Sequence, residues 1–520
     1  MKSISSVIRK INRKLYHLLV PPELYVKYYE DGTVWDECVF IESYTGQSFQ
    51  GNCYYIYKAL FNDQKFSNFK FYIGVLDVVG VKKTLKNRNL FDKRVKVVAK
   101  GSLEYARALT HCKYLFNNVG FSKDFIKKSK QIYVNTWHGT GPKCCGRRLN
   151  TNPDAFNLPQ RNFMIADYLV CPNDHSKRLY MDDHMMPNSC VDKLIYCGYP
   201  RNTVFFDQTY QKKIRKDEDL DEKVVVFYLP TWRGQEQIKD DLRAIESIDL
   251  LAGRLKETHI FYCKLHPNLA QLSVNLKNCR RIPDKYELYE LLCCADYLIT
   301  DWSSVYTDFA TKSDRIILYQ YDRNYMLTER GLYMDFVYNT PFPVVANITE
   351  LENKLFSFEN CQNYDLFKNL YCPYDSINST NDITNVVLGK TIRNALRINL
   401  IYVTRILEQS VINEMEKTIV NSNCLYVLPE GLDEAIYEYY NKYEKIKYTT
   451  YMMNPLLLPV EHRALKHCRI GAPDPLTLLA AKREVRRQWG NIQIDTLYCE
   501  ELSSVPILLR IAAKNTIVYK

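Results

Sequence analysis

The chain reads as an α/β protein: two successive parallel-sheet domains facing a cleft, followed by a smaller α/β region. Three observations lead there. Short apolar runs alternate with helical patterns from about residue 37 onward. A charged stretch, KKIRKDEDLDEK at 212–223, interrupts that series once, as a solvated linker or an exposed helix would. Several apolar runs also end in compact polar clusters, and ligands of such sheets bind at the carboxyl ends of the strands.

The bulk numbers agree. At 520 residues the chain exceeds one core and suggests two to four domains. Charged residues at 25% and hydrophobic residues at 46% give a soluble globular composition, and no internal repeat or low-complexity tract is present. A net charge of +11 suits anionic partners, but no nucleic-acid-binding signature accompanies it. The 17 cysteines include the adjacent doublets Cys144-Cys145 and Cys293-Cys294 but no CxxC pair, and no signal peptide is expected at the N-terminus. Reduced thiols packed as small hydrophobes are the expectation, with no metal site.

Residues 1–22 carry the pattern of a basic amphipathic helix ended by Pro21-Pro22, with Ile4, Ile8, Ile11, Leu15 and Leu18 falling on one helical face beside Arg9, Lys10, Arg13 and Lys14. It suits an anionic membrane surface or the protein's own body, and is too short and too charged to span a bilayer. The first domain, 37–208, runs through the strands ECVFIES, KFYIGVLD, VKVVAK, KYLFNN, QIYVN, DYLVCPN and KLIYCGYP, with helices after TGQSFQG and around SLEYARAL. The second, 222–390, holds VVVFYLP, THIFYCK, YLITD and RIILYQYD. In 391–520, the run RNALRINLIYVTRILEQSVINEMEKTI reads as a long amphipathic helix, and Arg397 and Arg405 exclude a membrane span. NCLYVLP, KYTTYMM, DTLYCEE and NTIVYK follow as strands, and no chemistry attaches to this region.

Four clusters at strand ends carry the functional signal. They are Trp137-His138-Gly139-Thr140 with Lys143; Pro230-Thr231-Trp232-Arg233; Lys264-Leu265-His266-Pro267; and Thr300-Asp301-Trp302-Ser303-Ser304 leading into a helix. Two histidines, an arginine, two lysines and a serine pair would line a cleft for a substrate with two phosphates. Each has a plainer reading: a histidine after a strand is often only a hydrogen-bonded structural group, and Ser303 serves equally as a helix N-cap. A hydroxyl N-cap with free N–H groups behind it is also a phosphate site.

Taken in order, these residues resemble the CDP-glycerol glycerophosphotransferase family of teichoic acid and capsule synthesis. The resemblance also rests on Glu42-Ser43, Gly46, Phe49 and Gly51-Asn52, on the GYPRN turn from Gly198 to Asn202, and on Tyr321-Asp322, Tyr325 and Arg330-Gly331-Leu332-Tyr333. It runs from about residue 38 to 388. Trp302 in place of tyrosine, Gly141 in place of proline, Thr203 in place of an acidic residue and Lys264 in place of arginine depart from the family pattern and bear on substrate identity.

The resemblance implies a GT-B fold and transfer of a polyol phosphate, glycerol phosphate first and ribitol phosphate second, from a CDP-polyol to a hydroxyl of a cell-surface polymer, with CMP leaving. An acceptor proton must be removed and diphosphate charge stabilised. His138 is nominated as general base and His266 as donor to the leaving phosphate. Arg233 would grip a phosphate with paired N–H bonds. Ser303, Ser304, Thr300, Thr231 and Lys264 join the phosphate site, Asp301 orients its neighbours or equally caps the helix, and Gly139 opens a close approach to the ligand. Lys143, Arg201, Arg330 and Tyr333 are acceptor or lid candidates. No cofactor is required, and the substrate is CDP-glycerol or CDP-ribitol. The expected partners are that donor, a lipid-linked or polymeric acceptor and an anionic membrane surface, with no nucleic acid. The expected location is cytoplasmic, peripheral on the inner face of the membrane, and the sequence carries no signal of oligomeric state. The alternatives are a GT-B glycosyltransferase using a nucleotide sugar and a non-catalytic scaffold of the same pathway.

Overall fold

The computed structural model of the chain describes residues 21–149, 154–231, 238–265, 276–329, 331–389, 395–413, 423–443, 446–469 and 472–519. The amphipathic stretch 1–20 lies outside the described residues, as do the site candidates Arg233, His266 and Arg330.

The seven apolar runs of the first series form seven strands: β1 (Trp35–Glu42), β2 (Lys70–Val75), β3 (Val95–Ala99), β4 (Cys112–Asn117), β5 (Ile132–Asn135), β6 (Tyr168–Val170) and β7 (Leu194–Ile195). They make one parallel sheet in the order β3-β2-β1-β4-β5-β6-β7. Such strands are covered on both faces, which is why they read as unbroken apolar runs. Val39 and Ile41 face one core, while Cys38 and Phe40 face the other. The second series gives β8 (Val224–Leu229), β9 (His259–Cys263), β10 (Tyr297–Thr300), β11 (Ile316–Tyr319) and the two-residue β12 (Val344–Val345), in the order β12-β11-β10-β8-β9. In each sheet the strand order reverses once, beside β1 and β4 in the first and beside β8 and β10 in the second. Those reversals leave crevices at the strand ends.

The third region departs from expectation at its start. Residues 396–402 do not open a long helix: Leu396–Tyr402 is β13, the central strand of a third parallel sheet. With β14 (Cys424–Pro429), β15 (Tyr448–Tyr451), β16 (Ile492–Cys499) and β17 (Asn515–Val518) it is ordered β15-β14-β13-β16-β17. Ile398, Leu400, Ile401, Tyr402 and Val403 are all buried, and a short continuous apolar run has no period that separates a buried strand from a buried helix. Helix is present at 409–413, and 414–422 fall outside the described residues.

The first sheet is the middle layer. One face shares a core with the second sheet through Val134, Phe227 and Leu298; the other shares a core with the third through Tyr133, Leu400 and Trp489. The third sheet is thus built onto the first. Gly490, at φ +78, lets the chain pass so close that a Cβ would sit 2.8 Å from the Ile165 Cα. Helix Ser379–Leu388 returns from the second region to pack on helix Asn52–Asn62 of the first. No described helix is long and apolar enough to cross a membrane.

Candidate active site

The base candidate is placed by a strained turn. After β5 the chain bends at Trp137, whose φ of 53 lies in the left-handed region. Such a conformation in a bulky residue costs about 1–3 kcal/mol and persists only where neighbours enforce it. Asn135 Oδ1 accepts the Trp137 N–H at 2.8 Å, and the Trp137 carbonyl accepts from Thr136 Oγ1 at 2.9 Å and Asn52 Nδ2 at 3.2 Å. His138 follows, partly buried, with Nδ1 3.1 Å from the Asn118 carbonyl. A carbonyl only accepts, so Nδ1 carries the proton and Nε2 keeps its lone pair. Burial holds this imidazole down at about 4, with the cations Arg201 and Lys143 pushing the same way against the Asn118 hydrogen bond. It is therefore neutral at pH 7, as a general base must be.

The ring lines a cavity of about 310 Å³ between the first two sheets, whose opposite wall includes Lys264, Ser303 and Ser304. Ser304 is the N-cap residue of helix Val305–Ala310 and makes no side-chain capping bond, while the Ser303 hydroxyl accepts only a long 3.4 Å bond from the Val305 N–H. Lys264 donates to Gln50 Oε1 at 2.7 Å, and burial pulls its ammonium down. This first lobe opens into a larger one of about 700 Å³, the two sharing Gln50, Lys264 and Glu287; Lys83, Arg88 and Arg281 stand along the larger lobe.

Other expected residues sit nearby in different roles. A Cβ on Gly139 would fall 2.3 Å from Ser304 Oγ, and one on Gly141 3.1 Å from Ser304 Cβ. The glycine after the histidine thus admits the opposite half of the protein, where the sequence reading had it admit the ligand. Thr300 is fully buried, its hydroxyl donating to the Leu229 carbonyl at 2.6 Å. Asp301, also buried, accepts the N–H groups of Thr231 at 3.0 Å and Trp302 at 2.6 Å. Trp302 is buried against Met326 and Leu332, so this departure from the family pattern concerns packing. Lys143 pairs with Leu332 in an antiparallel bridge, and the Tyr333 N–H donates to the Pro142 carbonyl at 2.7 Å. Tyr333 and Lys143 therefore fasten the loop after His138 to the second region. Arg201 is 2% exposed and bridges the same two halves.

Residues that the sequence did not single out complete the site. Glu287 accepts the Gly51 N–H at 3.1 Å across the cleft and caps its own helix through Tyr289 N–H at 2.7 Å. Asn118 orients the histidine, and its side chain accepts the Tyr44 N–H at 2.7 Å. Asn52 was visible as part of a motif, though without a role; Glu287 and Asn118 carried no signal. Among the described residues no three His, Cys, Asp or Glu side chains group as a metal ion would need.

Fold and site together define a class: a GT-B-like transferase with a neutral histidine opposite serine hydroxyls and a half-buried lysine. The chain belongs to the CDP-Glycerol:Poly(glycerophosphate) glycerophosphotransferase family, which it matches over residues 28–389. It is 24% identical over 381 residues to a teichoic acid poly(glycerol phosphate) polymerase of Bacillus spizizenii, covering 68% of this chain and 92% of that one. It is 27% identical over 347 residues to a teichoic acid glycerol-phosphate transferase of Staphylococcus aureus, covering 62% and 85%. A polymerase of the first name from Staphylococcus epidermidis, 25% identical over 375 residues, is longer, and the match spans 67% of this chain and 50% of that protein. The solved wall teichoic acid polymerase TagF shares the fold at a TM-score of 0.57 and 22% identity, covering 75% of this chain and 98% of that one. The third sheet lies beyond the family match.

Proposed function

We propose that this enzyme transfers glycerol phosphate from CDP-glycerol to a hydroxyl of a polymeric teichoic-acid acceptor and releases CMP. The observation that carries the reading is His138: its Nδ1 is tied to a carbonyl, and its ring lines the cavity that Ser303, Ser304 and Lys264 close from the other side. Nε2 removes the acceptor proton as the oxygen attacks the distal phosphorus, while the serine hydroxyls and the lysine hold the diphosphate oxygens. On sequence pattern alone, Arg233 and His266 take the charge of the departing CMP.

The distinguishing experiment is CMP release from CDP-glycerol, CDP-ribitol and UDP-sugars by the purified protein with a glycerol-phosphate primer. CDP-glycerol should be the preferred donor. Preference for a UDP-sugar would make the protein a glycosyltransferase, and release with none would make it a scaffold. Acceptor delivery at the inner membrane face belongs to the same proposal and rests on the basic amphipathic residues 1–20. Deleting them should abolish sedimentation with vesicles containing anionic lipid and leave turnover of a soluble primer intact.

A further inference from the structure

We infer that Arg201 is a positioning residue that ties His138 to the opposite half of the cleft, so that the base is aligned only while the two halves are closed on each other. This rests on the reading of His138 as the base.

Arg201 uses two arms of its guanidinium for two different halves. Nη1 donates to the His138 carbonyl at 3.0 Å, and Nη2 donates to Asp308 Oδ2 at 2.7 Å. Asp308 lies on helix Val305–Ala310, which begins immediately after Ser304. The two partners are 2% and 1% exposed. A planar fork suits this double duty, whereas a lysine ammonium would reach one partner at a time with less fixed geometry.

Two further groups hold Asp308, the Tyr289 hydroxyl at 2.6 Å and Asn202 Nδ2 at 3.3 Å. Asn202 also donates to Asp375 Oδ2 at 2.9 Å, and Asp375 presses on Gly198, where a Cβ would meet its Oδ1 at 2.3 Å. The GYPRN turn is therefore the junction of the two halves. Its arginine reaches the base; its asparagine and glycine lock the turn to the second region. Removing one member of a buried ion pair strands the other charge, so the halves separate here only at high cost.

The same carbonyl belongs to the residue beyond the strained Trp137. Asn52, which holds Trp137 from one side, also sits 3.4 Å from the Arg201 backbone nitrogen. Loss of the Arg201 bond frees the His138 backbone from the second region at the residue itself, leaving Trp137 before it, the Asn118 carbonyl on its ring and the Lys143–Leu332 bridge beyond it, and a displacement of about 1 Å at a catalytic group costs roughly 10²-fold in rate.

The test is a double-mutant cycle on CMP release from CDP-glycerol with a glycerol-phosphate primer, using wild type, Arg201→Lys, His138→Ala and the pair, each checked by thermal melting. Asp308→Asn serves as a second, isosteric route should Arg201→Lys fail to fold. We expect Arg201→Lys to lose roughly 10²-fold in kcat with KM within a few-fold, and to lose nothing further in the His138→Ala background. An equal loss in both backgrounds, or a loss confined to KM, or none, would overturn the inference. Wild-type turnover by His138→Ala would instead overturn the base reading itself.

Discussion

At the scale of the residue, His138 does its work through what surrounds it. Burial and two nearby cations hold its ring down at about 4, so it is ready to accept a proton throughout the neutral range. kcat/KM reports the free enzyme, and the base must be unprotonated. The acid limb of its pH profile should therefore lie below pH 5, well under the ordinary histidine value of about 6.5; a limb at 6.5 or above would show a solvated, unperturbed ring. Gly139 makes a second prediction. At φ +148, with Ser304 Oγ 2.3 Å from where a Cβ would go, Gly139→Ala must push the two walls apart. CMP release should fall about 10²-fold and the melting temperature should fall with it, and full activity would contradict the close approach. Little of this was legible beforehand. The histidine, the serines and the glycine announce themselves by chemistry at strand ends, whereas Asn118, Glu287 and the contacts that Tyr333 and Arg201 make arise only from how two distant segments meet.

At the scale of the element, the first two sheets were readable because parallel strands buried on both faces leave unbroken apolar runs ending in polar clusters. β12 was missed because two residues make no pattern, and β13 because its apolar run fits a helix as well as a strand. That misreading hid the third sheet's attachment. Trp489, 1% exposed, closes helix Pro475–Trp489 against a core shared with Phe40 and Tyr133 of the first sheet. Trp489→Ala should cost about 3–5 kcal/mol. Because the core is common, calorimetry should show the first and third sheets melting together; a separate low-temperature transition would show the third sheet to be independent. In the third region, the carbonyls of Tyr440, Tyr443 and Ile446, at and just beyond the end of the helix before β15, hold Arg147, nine residues after His138, so this region also steadies the loop that leaves the site.

For the whole molecule, the groups buried uncharged set the response to acid. His138, His175 and His184 are each held down at about 4, chiefly by burial. A depressed folded value means stability fully present above the unfolded value of about 6.5 and lost as pH falls through 4. Asp375 works the other way: burial raises it to about 6, so its contribution is present below about 3.8 and lost as pH rises through 6. Asp308, raised by burial despite Arg201, pulls with Asp375. Between pH 4 and 6 unfolding should therefore take up protons, but fewer than the three histidines alone would bind. Melting temperature should fall steadily from pH 6.5 to 4.5, and a flat profile would mean that these rings are solvated.

In the proposed reaction Nε2 of His138 takes the acceptor proton across a cleft built from two sheets. Single-turnover CMP release with saturating CDP-glycerol and primer, comparing wild type with His138→Gln, tests it most directly. The substitution should cost about 10²–10⁴-fold in rate with donor affinity unchanged. A His138→Gln enzyme that releases CMP at the wild-type rate would contradict it.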